Sequence, residues 1–178
     1  MKEEKMYVNE VSSERFKSWV AQLDPKICIE CKNLNGKIYY MYEDPDPMPP
    51  IHPNGRCRIE PLGALYAGDA TEKGIDGADW HLDRYRTLPD YYITKEQAEN
   101  LGWDRKKRNL HIVAPGFFIG GDEYINDDGH LPSAPGRIWY EADINYKSGK
   151  RNSERVVYSN DGLVFVTYDH YHTFYEII

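Results

Sequence analysis

Long apolar runs are missing from this sequence. No stretch approaches the roughly 20 residues that a membrane helix needs, which excludes a helical membrane span. The start, MKEEKMYVNE, has no apolar segment of the kind a secretory signal carries. The expectation is a chain that is cytoplasmic, exported by another route, or cut from the end of something longer. Cysteine is scarce as well: Cys28, Cys31 and Cys57 are the only ones, all in the first third. An odd, clustered set is a poor disulfide framework. A basic excess is also absent. The net charge is −7, with ten Lys and Arg against fourteen Asp and Glu in residues 1–80, and twelve against fifteen in residues 81–178. That balance argues against nucleic-acid binding through overall charge and leaves room for a local cationic site. Tyrosine, by contrast, is abundant: fifteen copies suit a fold rich in half-buried strands.

Along the chain, SSERFKSWVAQL (12–23) reads as a helix. Phe16, Trp19, Val20 and Leu23 follow the helical i, i+3, i+4, i+7 spacing, and Ser12 or Ser13 can cap the start. A short strand is expected at KIYYMY, and the six prolines from Pro45 to Pro61 predict irregular structure around them. Residues 62–77 hold four glycines and few large apolar side chains, which places a linker at 66–75 between parts at 1–65 and 76–178. Trp80, Leu82, Tyr85 and Leu88 predict a short helix. Thr94 and Gln97 form a capping-box pattern for another, ending at Leu101 with Gly102 beyond it. NLHIVAPG predicts a third helical turn. From about residue 117 the pattern turns to strands: RIWYEADIN, RVVYS, LVFVTY and TFYEII, with NDG as a hairpin signal. Helices followed by an antiparallel sheet give an α+β class.

The charges on these strands carry the functional question. Alternation puts Arg137, Trp139, Glu141 and Asp143 on one face, and antiparallel pairing brings Arg155 beside them. Taken alone, such charges fit a solvated sheet face with surface ion pairs. With a histidine they also make the minimum kit for RNA cleavage by its own 2′-hydroxyl: a base, an acid, and cations for the phosphorane charge. A glutamate near arginines stays ionised, and a histidine titrates near neutrality. No metal cofactor is needed for that route. The cationic run DRKKRN at 104–109 is expected to be a solvated loop.

The stretches LPDYYITKEQAENLGW, NLHIVAPGFFIGGD, NDDGHLP, GRIWYEADINYKSGKRNSERVVYSNDGL and DHYHTF, in that order and without gaps, closely resemble the barnase-like, guanyl-preferring bacterial ribonucleases. The resemblance covers about residues 76–178. It implies short helices packed on an antiparallel sheet. It implies Glu141 as general base, His170 as general acid, Lys95 as a stabiliser of transition-state charge, and Arg151 and Arg155 on the phosphate. It further implies Tyr171 lining the substrate site and Asn126, Asp127 and Asp128 recognising guanine, partly through backbone N–H groups. The pairs Asp143–Arg151 and Arg137–Asp161 match ion pairs that hold the site in shape. His172, at i+2 from His170, is expected to share its strand face and is an alternative acid, though the alignment favours His170. The family usually has arginine then glutamate after the asparagine. Here Asp128 is one methylene shorter, and Asp127 cannot stack over a base and adds negative charge beside an anionic substrate.

Cys28-x2-Cys31 followed by His52-x4-Cys57 gives four donors at a spacing like that of a Cys3His zinc site. Such an ion would be structural, since four protein ligands leave no open position; the alternative is a set of reduced thiols and a loop histidine. LDPKICIECKNLNGKIYYM with PPIHPNGRCR is similar to the C-terminal motif of Mu F-type phage minor head proteins, in which the second block usually reads HPNCRC. Together the resemblances imply a monomeric polymorphic toxin. A small, loop-rich, zinc-binding module would precede an endoribonuclease that leaves a 2′,3′-cyclic phosphate on single-stranded RNA. They imply an acidic barstar-like inhibitor, delivery by a dedicated route or in a phage particle, and action in the target-cell cytoplasm. The rival expectation is a phage head or packaging protein that binds RNA or protein without turnover.

Overall fold

A computed structural model describes residues 10–178; the N-terminal stretch 1–9, where a signal segment was sought, lies outside the described residues. Among those residues no helix is long and apolar enough to cross a membrane. The elements run β1 (Val11–Val20), α1 (Ile29–Leu34), β2 (Ile38–Tyr40), β3 (Arg58–Leu65), a 3-10 turn (Gly74–Asp76), α2 (Ala78–Tyr85), β4 (Tyr92–Ile93), α3 (Lys95–Asn100), α4 (Leu110–Val113), β5 (Phe118–Tyr124), β6 (Trp139–Asp143), β7 (Arg155–Ser159), β8 (Val164–Thr167) and β9 (Tyr175–Ile177). All the strands join one sheet, in the order β2-β1-β3-β9-β8-β7-β6-β5-β4. It is a mixed α+β fold with a large sheet and few helices. Pairing is antiparallel except at β3–β9 and β4–β5, which are parallel.

The stretch expected as a helix at 12–23 is a strand. Ser13, Phe16 and Trp19 are its buried residues, spaced by three as on a helix. The spacing arises from a bend. Ser13 Oγ accepts the N–H groups of Arg15 and Phe16 at 3.1 and 2.9 Å, and Ser12 to Lys17 spans only Gly63 to Pro61 on β3. Extra residues bulged out of the ladder convert a period of two into an apparent period of three. Leu23, assigned to the buried face of that helix, is exposed. Irregular structure was also expected up to Pro61, yet Pro61 lies inside β3. It is tolerated because β9 pairs only with Ala64 and Leu65, so the missing N–H removes no bond on that side.

Alternation along β6, β7 and β8 sorts the core. Ala142, Val156, Val164 and Val166 face α2, packing with Leu65, Ala70, Leu82 and Ile177. Trp139, Val157 and Phe165 face the other way, against Phe16 and Ile38, Leu62 and Leu131. Truncating Phe165 or Trp139 to alanine in such a layer costs about 3–5 kcal/mol. Within residues 66–75, Ala70 is buried. The fully buried Asp79 carboxylate accepts the Gly68 and Ala70 N–H groups and the Thr71 hydroxyl at 2.7, 3.1 and 2.8 Å. A third cluster seats α3 and α4 against β5 through Ala98, Leu110 and Ile119.

Candidate active site

Lys95 opens α3, whose start is fixed locally. Thr94 Oγ1 accepts the Gln97 N–H at 3.2 Å and Gln97 Oε1 accepts the Thr94 N–H at 2.9 Å, the full capping box. Gly102 follows the last turn at φ +97°, a left-handed position that glycine takes at no steric cost. Lys95 Nζ thereby reaches Glu141 Oε1 on β6 at 2.7 Å. The other Glu141 oxygen accepts the Tyr171 hydroxyl. Burial pushes the Glu141 carboxyl up, but the hydrogen bonds from Lys95 and Tyr171 and the Lys95 and Arg151 charges outweigh it, and the net direction is down. Burial, then the neighbouring Glu141 charge, pushes the Tyr171 phenol up, so it stays a donor.

Two residues along the same face, Asp143 is fully buried and pairs with Arg155 in register across β6–β7. Arg151 grips it with two bonds, Nε to Oδ2 at 2.7 Å and Nη2 to Oδ1 at 2.6 Å. Arg155 Nε lies 3.0 Å from Oδ1 but off the line of its N–H, so that contact is charge pairing. Its Nη1 donates to Asn152 O and Glu154 O at 2.8 and 2.7 Å. Two guanidinium groups share one carboxylate, and the cluster stays net positive. Arg137 and Asp161 also pair, at 2.8 Å, and Arg137 caps Pro132 O at 2.7 Å.

His170 lies in a turn, not on a strand, so the i+2 argument that offered His172 does not apply. His170 and Tyr171 have φ of +59° and +69°. Left-handed backbone at two non-glycine residues persists only when surrounding bonds impose it. They do: Asp169 Oδ1 accepts from Thr167 Oγ1, His172 N and Thr173 N; Thr167 Oγ1 accepts the Tyr171 N–H at 2.9 Å; and the His170 N–H donates to Ser153 O at 3.1 Å. His170, Arg151 and Arg155 line one cleft of about 530 Å³. Arg105, Arg108 and Lys150 complete its cationic rim. The run 104–109, expected as a solvated loop, is solvent-exposed at its four cations, yet it lends two of them to the cleft. Among the described residues, none of Arg105, Arg108 and Lys150 forms an ion pair with a carboxylate.

Asn126, Asp127 and Asp128 sit in the loop between β5 and β6. The Asn126 amide closes that loop on itself, accepting the Leu131 N–H at 3.0 Å and donating to Leu131 O at 2.8 Å. Asp127 is exposed, and Asp128 Oδ1 accepts the His130 N–H at 3.0 Å. Tyr124 and Tyr171 stack at 4.9 Å beside this loop, and burial pushes the Tyr124 phenol up to about 12.

Sequence reasoning missed Asp122. Its Oδ2 accepts the Lys95 N–H at 3.0 Å, and it lies opposite Glu141 after a bulge at Gly120–Gly121. A Cβ on Gly120 would come within 2.4 Å of Ala142, so glycine is required for that close approach. The doubled glycine before Asp122 was the available signal.

The family model for ribonuclease matches residues 78–178, from the first residue of α2 onward. The chain belongs to the ribonuclease family. Among relatives, a ribonuclease from Heyndrickxia coagulans is 59% identical over 103 residues, covering 58% of this chain and 94% of that protein. Ribonucleases from Bacillus intermedius and Bacillus pumilus are 59% identical over 103 residues, covering 58% of this chain and 64% of each relative. Strands β1 to β3 fall outside the ribonuclease match although they share its sheet.

The segment ahead of the match carries the four donors of the metal expectation, Cys28 and Cys31 at α1 and His52 and Cys57 in the stretch between β2 and β3, and all four line one cleft. Cys28 caps α1 and Cys31 sits within it, its N–H 3.3 Å from Cys28 Sγ. His52 Nε2 lies 3.1 Å from Cys28 Sγ, and the donor atoms of Cys28, Cys31 and His52 fall within 4.8 Å of one another. Cys57 lines the same cleft but stands outside that 4.8 Å group. Tetrahedral Zn²⁺ with bonds of about 2.0–2.3 Å needs donors separated by about 3.4–3.8 Å, so Cys28, Cys31 and His52 fit with little movement, and Cys57 must come closer to complete the set.

Proposed function

We propose that this chain is an endoribonuclease that cleaves single-stranded RNA by transesterification. Glu141 takes the proton of the ribose 2′-hydroxyl, and the 2′-oxygen bonds to phosphorus. As the bond from phosphorus to the 5′-oxygen breaks, His170 donates a proton to the departing oxygen. A 2′,3′-cyclic phosphate results, and slow hydrolysis follows with the two roles reversed. Lys95, Arg151 and Arg155 stabilise the added negative charge on the equatorial oxygens. The observation that carries this reading is the Glu141 carboxylate, held ionised between Lys95 and Tyr171 on the face that bears the Asp143-anchored arginines. The unpaired cations of the neighbouring cleft support an anionic polymer as substrate despite the net charge of −7.

Guanine preference belongs to the same proposal. It rests on the loop of Asn126, Asp127 and Asp128, with exposed backbone and Asp128 as acceptors and donors for the base edge. An active enzyme of this kind is toxic to its own cell, so the reading includes an acidic barstar-like inhibitor and a monomer that meets it one to one. The likeness of residues 23–58 to Mu F-type head proteins supports delivery by a dedicated route or phage particle into a target cytoplasm.

The test is cleavage of short single-stranded RNAs containing one G, A, C or U, in buffer without added divalent cations, by wild type and His170→Ala. Cyclic-phosphate product, lost in the variant and concentrated at G, is expected. A folded wild type that cleaves none of the four would overturn the proposal and leave RNA or protein binding without turnover.

A further inference from the structure

The donor cluster of α1 is connected to the active site by a short mechanical path. α1 is six residues long, too short to hold its shape unaided. The core beneath it is small: Trp19, Ala21, Cys31, Tyr39 and Cys57. Residues 41–57, which carry His52 and Cys57, contain no helix or strand. A cross-link is what such a segment lacks.

The far end of α1 and the residues just after it approach both loops of the candidate site. Asn33 O lies 2.7 Å from His130 Nε2, and His130 N–H in turn holds Asp128 at 3.0 Å. The Ile38 N–H donates to His130 O at 2.8 Å, and Tyr40 OH accepts from Arg137 at 2.9 Å. Between these contacts, Gly36 turns at φ +86° so close to the other loop that a Cβ there would sit 2.5 Å from His172 O. The residue span 33–40 therefore supports the 126–132 loop on one side and the 170–172 turn on the other.

We propose that Cys28, Cys31, His52 and Cys57 bind one Zn²⁺, and that this ion fixes α1 as a buttress for both loops. Three thiolates and an imidazole suit a soft, tetrahedral divalent ion. The Zn²⁺ site with three thiolates carries a net single negative charge, and Lys26 lines the same cleft as the matching cation. Four protein donors leave no position for substrate, so the ion acts through the helix and not on RNA. The coupling half rests on the reading of the two loops as active-site loops; the metal half does not.

The experiment uses the full chain, purified without a metal-affinity step. Metal analysis is expected to give about one zinc per chain, lost in Cys28→Ser and in His52→Ala. Co²⁺ reconstitution is expected to give the intense visible bands of tetrahedral thiolate ligation. Amide exchange is then followed before and after chelation, and again after Zn²⁺ is restored. The Ile38 and Leu131 amides, which donate to His130 O and Asn126 Oδ1, and the His170 and Tyr171 amides are expected to exchange about tenfold faster or more without metal. A folded chain that neither contains nor takes up Zn²⁺, or a Cys31–Cys57 disulfide, overturns the site. Zinc with unchanged exchange overturns the buttress. If either variant fails to fold, chelation and restoration on wild type still decide. No arm uses RNA, so failure here is distinct from failure of the ribonuclease proposal.

Discussion

Lys95 Nζ and Glu141 Oε1 meet at 2.7 Å, joining the first residue of α3 to the middle of β6. Lys95→Met removes one of the two hydrogen bonds and one of the two charges that hold the Glu141 carboxyl down, leaving burial opposed only by Tyr171 and Arg151. The acid limb of the kcat/KM profile for RNA cleavage, which reports the base in its deprotonated form, is expected to move to higher pH. An unmoved acid limb would assign the base elsewhere.

The same depressed carboxyl sets a stability trend. A group whose folded value lies below its unfolded value of about 4.3 contributes stability above that pH and loses it as pH falls through the folded value. Denaturant titrations of wild type and Glu141→Gln are therefore expected to differ most near neutrality and to converge in acid. A constant difference at all pH values would contradict the assignment.

Asp143 is the counter-charge for two arginines. Asp143→Ala leaves Arg151 and the buried Arg155 without it, which is expected to destabilise the fold by about 3–5 kcal/mol. A urea midpoint unchanged from wild type would show that the two cations find other partners.

Arg105, Arg108 and Lys150 rim the cleft away from Glu141. Neutralising all three in a Glu141→Ala background is expected to lower the slope of log K against log salt for single-stranded RNA by about 2, at about 0.7 per phosphate contact. An unaltered slope would return these residues to the solvated surface.

Gly36→Ala adds one methyl group against His172 O at a left-handed position. It removes no proposed catalytic group, yet displacement of the 170–172 turn by about 1 Å is expected to lower kcat about 10²-fold. Unchanged kcat in a folded variant would show that the turn yields without cost.

How much of this was legible depended on the range of the interactions. The α3 boundaries were written locally, in Thr94, Gln97 and Gly102. That Arg155 lies beside the face of Glu141 and Asp143 followed from strand alternation and antiparallel pairing. β1 was misread because its bulge at Ser13 mimics a helical spacing, and β3 because the tolerance of Pro61 depends on a partner strand that stops at Ala64. The His170 turn was invisible since its backbone is imposed by Asp169, Thr167 and Ser153. Asp122 was invisible because a bulge decides which group it faces. The run at 104–109 looked like any charged loop; only the fold brings Arg105 and Arg108 beside Arg151 and His170.

The parallel ladder of Ala64 with Glu176 and Leu65 with Ile177 joins residues about 110 positions apart. During synthesis β3 emerges long before its partner, and β1 to β3 must wait with an open edge until β9 appears. Once closed, the ladder shields β9 from becoming the unpaired edge at which a second molecule could add a strand. The segment ahead of the ribonuclease region is thus an edge guard, and its ladder cannot close on a nascent chain before β9 has been made.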